Sequence, residues 1–169
     1  MRTPGIFTAE EAAFLRELAR GGVRFMVVGL SAAALQGAPA VTQDVDLWFR
    51  DLSDPRIAKA LRAVGGAYVP PLGANPPLFA GDAVELFDIV VVMHGLRSFD
   101  EEYAGALPVP LGDVEVMVLP LDRILASKKA LDRPKDRLVI PVLEDALAVI
   151  EERKAAAPSR RPARKRPRR

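Results

Sequence analysis

Short apolar runs alternate with amphipathic stretches along the first 152 residues of the chain, and this alternation predicts a mixed α/β domain. Apolar residues three or four positions apart predict helices, whereas four or more in a row, or in alternation, predict strands. The predicted helices cover residues 9–20, 31–36, 55–64, 99–103, 121–131 and 141–154. The predicted strands cover residues 24–28, 44–49, 84–92 and 114–119, with a further short strand at Tyr68.

Residues with capping or turn chemistry fix the ends of several elements. Thr8 and Glu11 have the spacing of a capping box, in which each side chain satisfies a backbone N–H at the start of a helix. Asp54 followed by Pro55 is typical of a helix cap and first turn. Residues 65–82 are rich in Gly and Pro and are predicted to form a loop.

The composition narrows the class of protein. The chain has 169 residues, a length that suits one domain, and 50% of them are hydrophobic, which excludes wholesale disorder. It contains no cysteine, so disulfides, thiolate metal sites and cysteine nucleophiles are excluded. No apolar stretch reaches the roughly 18 residues of a membrane span. The N-terminal sequence lacks the apolar core of a secretory signal, so we expect a cytoplasmic protein with no membrane partner.

The net charge of +2 combines two regions of opposite sign. Residues 1–152 carry 15 Lys and Arg against 22 Asp and Glu, a net charge of −7, and are predicted to form the folded domain. Residues 153–169 carry nine Lys and Arg and no acid, a net charge of +9, and are predicted to form a disordered basic tail. Such a tail suits contact with the phosphate backbone of RNA or DNA, or serves as a solubilising end.

Three aspartates carry the most informative chemical signal. Asp44 and Asp46 stand two positions apart on a predicted strand, so their side chains point to the same side and can share a cation. Asp88 interrupts a largely apolar strand, where a carboxylate is costly unless it is paired or bound to metal. The short helix after Gly29 would direct its N-terminus toward a phosphate. Together these features indicate a divalent-metal site for phosphoryl transfer, with a solvated strand edge as the plain alternative.

Two motifs resemble those of a known superfamily. The run VVGLSAAALQGAPAVTQDVDLWF resembles the first motif of nucleotidyltransferases of the DNA polymerase β type, and is most similar to small bacterial AbiEii-like nucleotidyltransferase toxins and their relatives. The positions in register are Gly29, Ala32, Gly37, Pro39, Thr42, Asp44 and Asp46. The segment LDRILASKKALDRPKD is similar to a second motif, with Lys128, Arg133, Lys135 and Asp136 in place. The resemblance spans roughly residues 23–150.

This resemblance implies a fold and an activity. The fold would be the nucleotidyltransferase fold, a small mixed β-sheet with helices packed against it and further helices at the C-terminal end. The activity would be transfer of a nucleoside monophosphate from ATP or another NTP to a hydroxyl of RNA, protein or a small molecule. Asp44, Asp46 and Asp88 would hold two Mg²⁺ ions, and Asp88 would help to accept the proton of the acceptor.

The same resemblance implies the nucleotide contacts and the partners. The backbone around Gly29, Leu30 and Ser31 would hold the phosphates, and Lys128 would neutralise one of them. Thr42 and Asp136 complete the expected nucleotide-binding set, and the plain alternative for Arg133, Lys135 and Asp136 is an ion-pair cluster at the entry to a helix. A toxin–antitoxin or phage-defence setting is implied, with a cognate antitoxin as partner. The basic tail would bring an RNA acceptor such as tRNA to the acidic domain.

Several positions depart from the family pattern. Leu30 stands in place of the second glycine, Gln36 in place of the usual histidine, and Ala40 in place of the usual arginine. These departures favour a second hypothesis, a catalytically degenerate nucleotide-binding or interaction module of the same fold. A third hypothesis is a basic-tailed nucleic-acid-binding protein. Trp48 shares the strand face of Asp44 and Asp46, so it is predicted either to lie in the core or to stack on a base.

Overall fold

A five-stranded mixed sheet forms the centre of the computed structural model, which describes residues 5–157. Within that range the chain forms six helices and seven strands. The helices are α1 (Ala9–Arg20), α2 (Gly29–Leu35), α3 (Pro55–Ala63), α4 (Phe99–Ala104), α5 (Leu121–Leu131) and α6 (Pro134–Ala156). The strands are β1 (Phe25–Val28), β2 (Val45–Phe49), β3 (Ala67–Val69), β4 (Leu78–Ala80), β5 (Phe87–Val90), β6 (Leu107–Leu111) and β7 (Val114–Val118).

The strand order of the main sheet is β5-β2-β1-β7-β6. β1 is antiparallel to β2 and parallel to β7, β2 is parallel to β5, and β6 is antiparallel to β7. β3 and β4 form a separate antiparallel pair. The predicted fold class is therefore confirmed: helices pack against a small mixed sheet, and α5 and α6 follow it at the C-terminal end.

Alternation along β2 divides its side chains between two faces of the sheet. On one face, Phe49 packs against Phe79 with ring centroids 5.8 Å apart, and Phe14 of α1 meets both Phe79 and Phe87 edge to face. The opposite face carries Asp46 and Trp48. Trp48 is buried against Phe99 of α4, so it belongs to the core and does not offer a stacking surface for a base.

The structure corrects the predicted boundaries in three regions. The predicted short strand at Tyr68 is confirmed as β3, but its partner β4 lies in what was predicted to be loop, and the predicted strand over 84–92 pairs only over Phe87–Val90. β6 was not predicted at all. α6 begins at Pro134 instead of near Pro141, and it continues to Ala156, past the predicted start of the tail at residue 153. The rest of the predicted tail, residues 158–169, lies outside the described part of the chain.

Local chemistry explains the confirmed helix starts. Thr8 and Glu11 form the predicted capping box at α1, and the Asp54 side chain accepts from the Arg56 N–H at the start of α3.

Over the residues that the structure describes, no helix has both the length and the hydropathy that a bilayer span requires.

Candidate active site

A cavity of about 790 Å³ lies where β1 ends and where β2 and β5 begin. It collects nearly all of the residues that the sequence singled out. Those lining it are Gly29, Leu30, Thr42, Asp44, Asp46, Asp88, Lys128 and Asp136. Ser31 is the exception: its side chain is 1% exposed, and its hydroxyl donates to the Val28 carbonyl at 3.2 Å. The hydroxyl of Ser31 therefore faces the protein interior and not the cavity.

The two central carboxylates are neighbours in the sheet. Asp46 of β2 and Asp88 of β5 are paired in register, so their side chains leave the same face of adjacent strands. Burial, and then the charge of Asp88, raises the pKa of Asp46 to about 6. Burial, and then the charge of Asp44, also raises the pKa of Asp88. The charged forms of both groups are thus disfavoured in the protein alone, and a bound cation would stabilise them.

Gly29 makes room for Asp46. Its φ is +65°, in the left-handed region where a side chain is strained. A Cβ atom added to Gly29 would overlap with Oδ2 of Asp46 and lie 2.9 Å from its Cγ. The turn between β1 and α2 can therefore pass this close to the carboxylate only because residue 29 is glycine. Thr42 holds the chain just before β2, because its Oγ1 accepts a hydrogen bond from the Asp44 N–H at 3.3 Å.

An ion cluster centred on the buried Asp136 also lines the cavity. The side chain of Asp136 is 1% exposed and accepts from Arg133 Nε at 2.6 Å and from Lys128 Nζ at 3.1 Å. The bonds from Arg133 first, and then those from Lys128, lower the pKa of Asp136 to about 2. This cluster ties α5 to the start of α6 and fixes the Lys128 ammonium at the cavity wall.

Of the three residues predicted as a possible ion-pair cluster, only Arg133 and Asp136 are paired with each other, and Lys135 is not part of the cluster. Lys135 lines the cavity and is exposed, and its positive charge opposes the rise in the pKa of both Asp46 and Asp88. Among the residues that the structure describes, Lys135 has no salt-bridge partner, whereas Lys128 and Arg133 are both bonded to Asp136. Lys135 is therefore the more available cation for an anionic ligand.

Gln36, the departure from the usual histidine, has a positioning role. Its Nε2 donates to the carbonyls of Ala32 and Leu119, both at 2.9 Å. Its Oε1 accepts from the Leu121 N–H at 2.9 Å, at the start of α5, where Pro120 offers no side-chain cap. Gln36 thus joins α2 to the helix that carries Lys128.

The donor chemistry of the carboxylates fits a hard divalent cation, because Mg²⁺ prefers carboxylate oxygens and Asp46 and Asp88 lie side by side. They do not form a complete preformed cage. Within residues 5–157, no three His, Cys, Asp or Glu side chains are arranged to hold a metal ion by themselves. Mg²⁺ usually keeps water and substrate phosphate oxygens as further ligands, so an incomplete protein cage is compatible with Mg²⁺.

Comparisons with known proteins identify the fold. No known protein family matches the chain, and no curated protein sequence matches it. Three of the similar solved structures are as follows. The solution structure of the antibiotic-resistance factor ANT(2'')-Ia has a TM-score of 0.51 at 16% identity, over 87% of this chain and 92% of that one. A crystal structure of ANT(2'')-Ia in complex with adenylyl-2''-tobramycin has a TM-score of 0.49 at 14% identity, over 84% and 95%. An antigenic nucleotidyltransferase-like protein from Paracoccidioides brasiliensis has a TM-score of 0.48 at 16% identity, over 85% and 86%. The chain therefore has a nucleotidyltransferase-type fold.

Proposed function

We propose that the chain is a Mg²⁺-dependent nucleotidyltransferase that moves a nucleoside monophosphate from an NTP to a hydroxyl group. The observation that carries this proposal is the pairing of Asp46 with Asp88 on adjacent strands, with Asp44 in the same cavity. The pair stands beside the Gly29 turn, where backbone and carboxylate approach closely. The nucleotidyltransferase-type fold supports the same activity.

The reaction is an in-line displacement at phosphorus. The acceptor oxygen forms a new bond to the α-phosphorus, the bond between that phosphorus and the pyrophosphate oxygen breaks, and pyrophosphate leaves. Asp88 takes the proton of the acceptor hydroxyl, a role open to an exposed carboxylate that lines the cavity beside Asp46. Asp44, Asp46 and Asp88 would hold Mg²⁺, which supplies charge neutralisation for the polyphosphate when it is bound.

Two lysines of the cavity, Lys135 and Lys128, interact with the polyphosphate in different ways. Lys135 contacts the phosphates, because it is exposed and has no acidic partner within the described range. Lys128 contributes its charge from a fixed position, because Asp136 holds its ammonium. Gly29 and Leu30 also line the cavity, and their backbone would complete the phosphate contacts.

The test is transfer of label from each α-³²P-labelled NTP, with Mg²⁺, to cell lysate, total tRNA and aminoglycosides such as tobramycin. The last acceptor is chosen because ANT(2'')-Ia, which is similar in fold, has been crystallised with an adenylylated form of it. Asp46→Asn and Asp88→Asn should each reduce labelling by at least about a hundredfold. Asp145→Asn, at an exposed aspartate of α6, is the matched control and should leave labelling unchanged.

The degenerate nucleotide-binding module remains the second candidate, because Leu30 lines the cavity where the family pattern has glycine. Isothermal titration with a non-hydrolysable NTP analogue separates the two. Mg²⁺-dependent binding that Asp46→Asn weakens, with no labelled acceptor for any NTP, would favour the module. Absence of any nucleotide binding would leave the third hypothesis, a basic-tailed nucleic-acid-binding protein.

The setting proposed for the enzyme is a toxin–antitoxin or phage-defence system, on the resemblance in sequence to AbiEii-like toxins. Induced expression in a bacterial host should then slow growth. Asp46→Asn should remove that effect at equal protein level. Growth inhibition that persists in Asp46→Asn would contradict a toxic transferase activity.

A further inference from the structure

One buried hydroxyl in the cavity, that of Ser127 on α5, has no hydrogen-bond partner among the residues that the structure describes. Besides four carboxylates and three cations, the cavity is lined by three polar side chains, those of Thr42, His94 and Ser127. The Thr42 hydroxyl is bonded to the backbone of Asp44, and His94 is exposed. Ser127 is only 4% exposed, so its hydroxyl is largely cut off from bulk water and is free to bond to a ligand.

Comparison with the other serines and threonines shows that Ser127 is different. In residues 5–157, five other hydroxyls take part in hydrogen bonds, those of Thr8, Ser31, Thr42, Ser53 and Ser98. A helical serine often donates to a carbonyl of the preceding turn, as Ser31 does to Val28. Over the same range, no fully buried side-chain oxygen or nitrogen lacks a partner. The unpartnered Ser127 hydroxyl must therefore keep some accessible surface, and the surface that its residue lines is the cavity.

Ser127 and Lys128 are the two polar groups that α5 presents to the cavity. The other residues of α5 in the lining, Ile124 and Leu131, are apolar. A hydroxyl next to an ammonium favours an anionic ligand group, because both can donate hydrogen bonds to its oxygens. An apolar part of a ligand at this place would leave the Ser127 hydroxyl buried and unsatisfied, at a cost in free energy.

This part of α5 lies within electrostatic range of the reacting centre. Burial, and then the charge of Asp88, raise the pKa of Asp46, and the positive charge of Lys128 opposes that rise. A nucleotide whose α-phosphate lies at Asp46 and Asp88 can therefore reach α5 with its other phosphates. The remaining cations of the lining, Arg133 and Lys135, follow at the start of α6. The three cations together match the negative charge of the β- and γ-phosphates.

We propose that the Ser127 hydroxyl donates a hydrogen bond to an oxygen of the β- or γ-phosphate, and so binds the pyrophosphate part of the NTP. This inference rests on the proposed nucleotidyl transfer. In that reaction the bond from the α-phosphorus to the pyrophosphate oxygen breaks, and pyrophosphate leaves with the electron pair. Ser127 makes the same contact with the bound NTP and with the pyrophosphate product. Ser127 is thus a binding residue that selects a triphosphate over a monophosphate.

The first test measures binding to the full chain by isothermal titration in the presence of Mg²⁺. The ligands are inorganic pyrophosphate, the α,β-methylene analogue of each NTP, and each NMP. Ser127→Ala should weaken the affinity for pyrophosphate and for the analogues by about tenfold, the loss expected for one hydrogen bond to a charged oxygen. It should leave the affinity for NMP unchanged, because NMP lacks both phosphates. Ser53→Ala makes the same chemical change outside the cavity lining and should alter none of these affinities.

The second test compares folding and kinetics of the same variants. Alanine has the higher helix propensity and the Ser127 hydroxyl has no partner in the described part of the chain, so Ser127→Ala should unfold in urea at the same midpoint or a higher one. Ser127→Thr keeps the hydroxyl and should keep most of the affinity for pyrophosphate. In the labelling assay, Ser127→Ala should raise KM for NTP by about tenfold with little change in kcat, because the hydrogen bond is present in both the bound NTP and the transition state.

The outcomes separate this inference from the proposed function. Labelling of an acceptor, with unchanged pyrophosphate affinity in Ser127→Ala, would overturn the role of Ser127 and leave the transferase activity standing. Pyrophosphate binding that Ser127→Ala weakens, without any labelled acceptor, would support the role of Ser127 and favour the degenerate module. Equal weakening of NTP analogue and NMP would overturn the contact with the pyrophosphate part. A lower urea midpoint with unchanged affinity would show that the hydroxyl serves the fold instead. Absence of binding for pyrophosphate and for every analogue would overturn both proposals.

Discussion

Asp46 can lie at the base of the cavity only because residue 29 has no side chain. Gly29 is the first residue of α2 and Gly37 follows the helix, and both have a positive φ. They differ in their surroundings: a Cβ at Gly29 overlaps with the Asp46 carboxylate, whereas a Cβ at Gly37 meets nothing within 4 Å. Gly29→Ala and Gly37→Ala both introduce backbone strain of about 1 kcal/mol. Only Gly29→Ala should also displace Asp46, so we expect it to abolish transfer and to cost about 2 kcal/mol more in urea unfolding. Equal effects of the two substitutions would contradict this account.

Asp136 shows how burial and pairing set the pH dependence of stability. Its pKa is lowered to about 2, below the value of about 3.9 for an unfolded chain. The contribution of Asp136 to the free energy of unfolding is therefore complete above pH about 4 and is lost as the pH falls toward 2. Asp136→Asn should destabilise the protein at pH 7 by about 1–3 kcal/mol, and the difference should shrink between pH 4 and 2. Asp145→Asn is the exposed control, and urea unfolding at each pH measures both.

A difference for Asp136→Asn that stays constant from pH 7 to pH 2 would show that the interaction removed is not ionic.

The same cluster explains a limit of the sequence analysis at this scale. The sequence allowed an ion-pair cluster of Arg133, Lys135 and Asp136, but it could not show that Lys128 takes the place of Lys135 in that cluster. That pairing depends on how α5 meets α6, and it leaves Lys135 as the available cation.

At the scale of elements, prolines account for two of the errors in prediction. The segment Leu-Pro-Val-Pro-Leu of β6 reads as a loop, because a proline is excluded from a central strand; an edge strand accepts it where the nitrogen faces outward. Pro141 was predicted to open the last helix, since proline is common in the first turn. Pro134 holds that position, and Pro141 lies inside α6. By contrast, the helices with capping boxes or an Asp-Pro start were predicted well, because that chemistry is local.

The two prolines of α6 allow a matched test of its boundaries. Pro141 lacks the N–H that would bond to the preceding turn, whereas Pro134 stands in the first turn, where that N–H has no helical partner. Pro141→Ala should raise the free energy of unfolding by about 1–2 kcal/mol. Alanine is much more favourable than proline inside a helix, and this gain is partly offset because alanine leaves the unfolded chain more conformational freedom. Pro134→Ala should lower it by about 0.5 kcal/mol. Urea unfolding measures both, and a destabilising Pro141→Ala would place the start of the helix at residue 141 after all.

At the scale of the whole molecule, the three aspartates were predictable as a set because two of them share one predicted strand, over 44–49, and the third interrupts another. Their assembly depends on the order β5-β2-β1, which brings Asp88 next to Asp46 although 42 positions separate them in the chain. The strand order itself was not predictable, because it depends on pairing between segments that are far apart in the chain. Four of the 22 acidic residues line this cavity, and burial and mutual repulsion raise the pKa of two of them, Asp46 and Asp88.

The charge asymmetry of the chain leads to a prediction about polyanions. Residues 1–152 have a net charge of −7, and residues 158–169 contain seven Lys and Arg with no acid. Because α6 ends at Ala156, deletion of residues 158–169 leaves every described helix intact. The deletion should weaken binding of total tRNA in low salt, and it should reduce the slope of log affinity against log salt by about 0.7 for each phosphate that the tail neutralises. Fluorescence anisotropy at several salt concentrations measures both quantities.

A shuffled tail of the same composition should bind like the natural chain, and a tail with glutamine at the seven cations should bind like the deletion. Unchanged tRNA affinity after deletion would show that the tail makes no electrostatic contribution to binding, and that any RNA reaches the acidic domain by other residues.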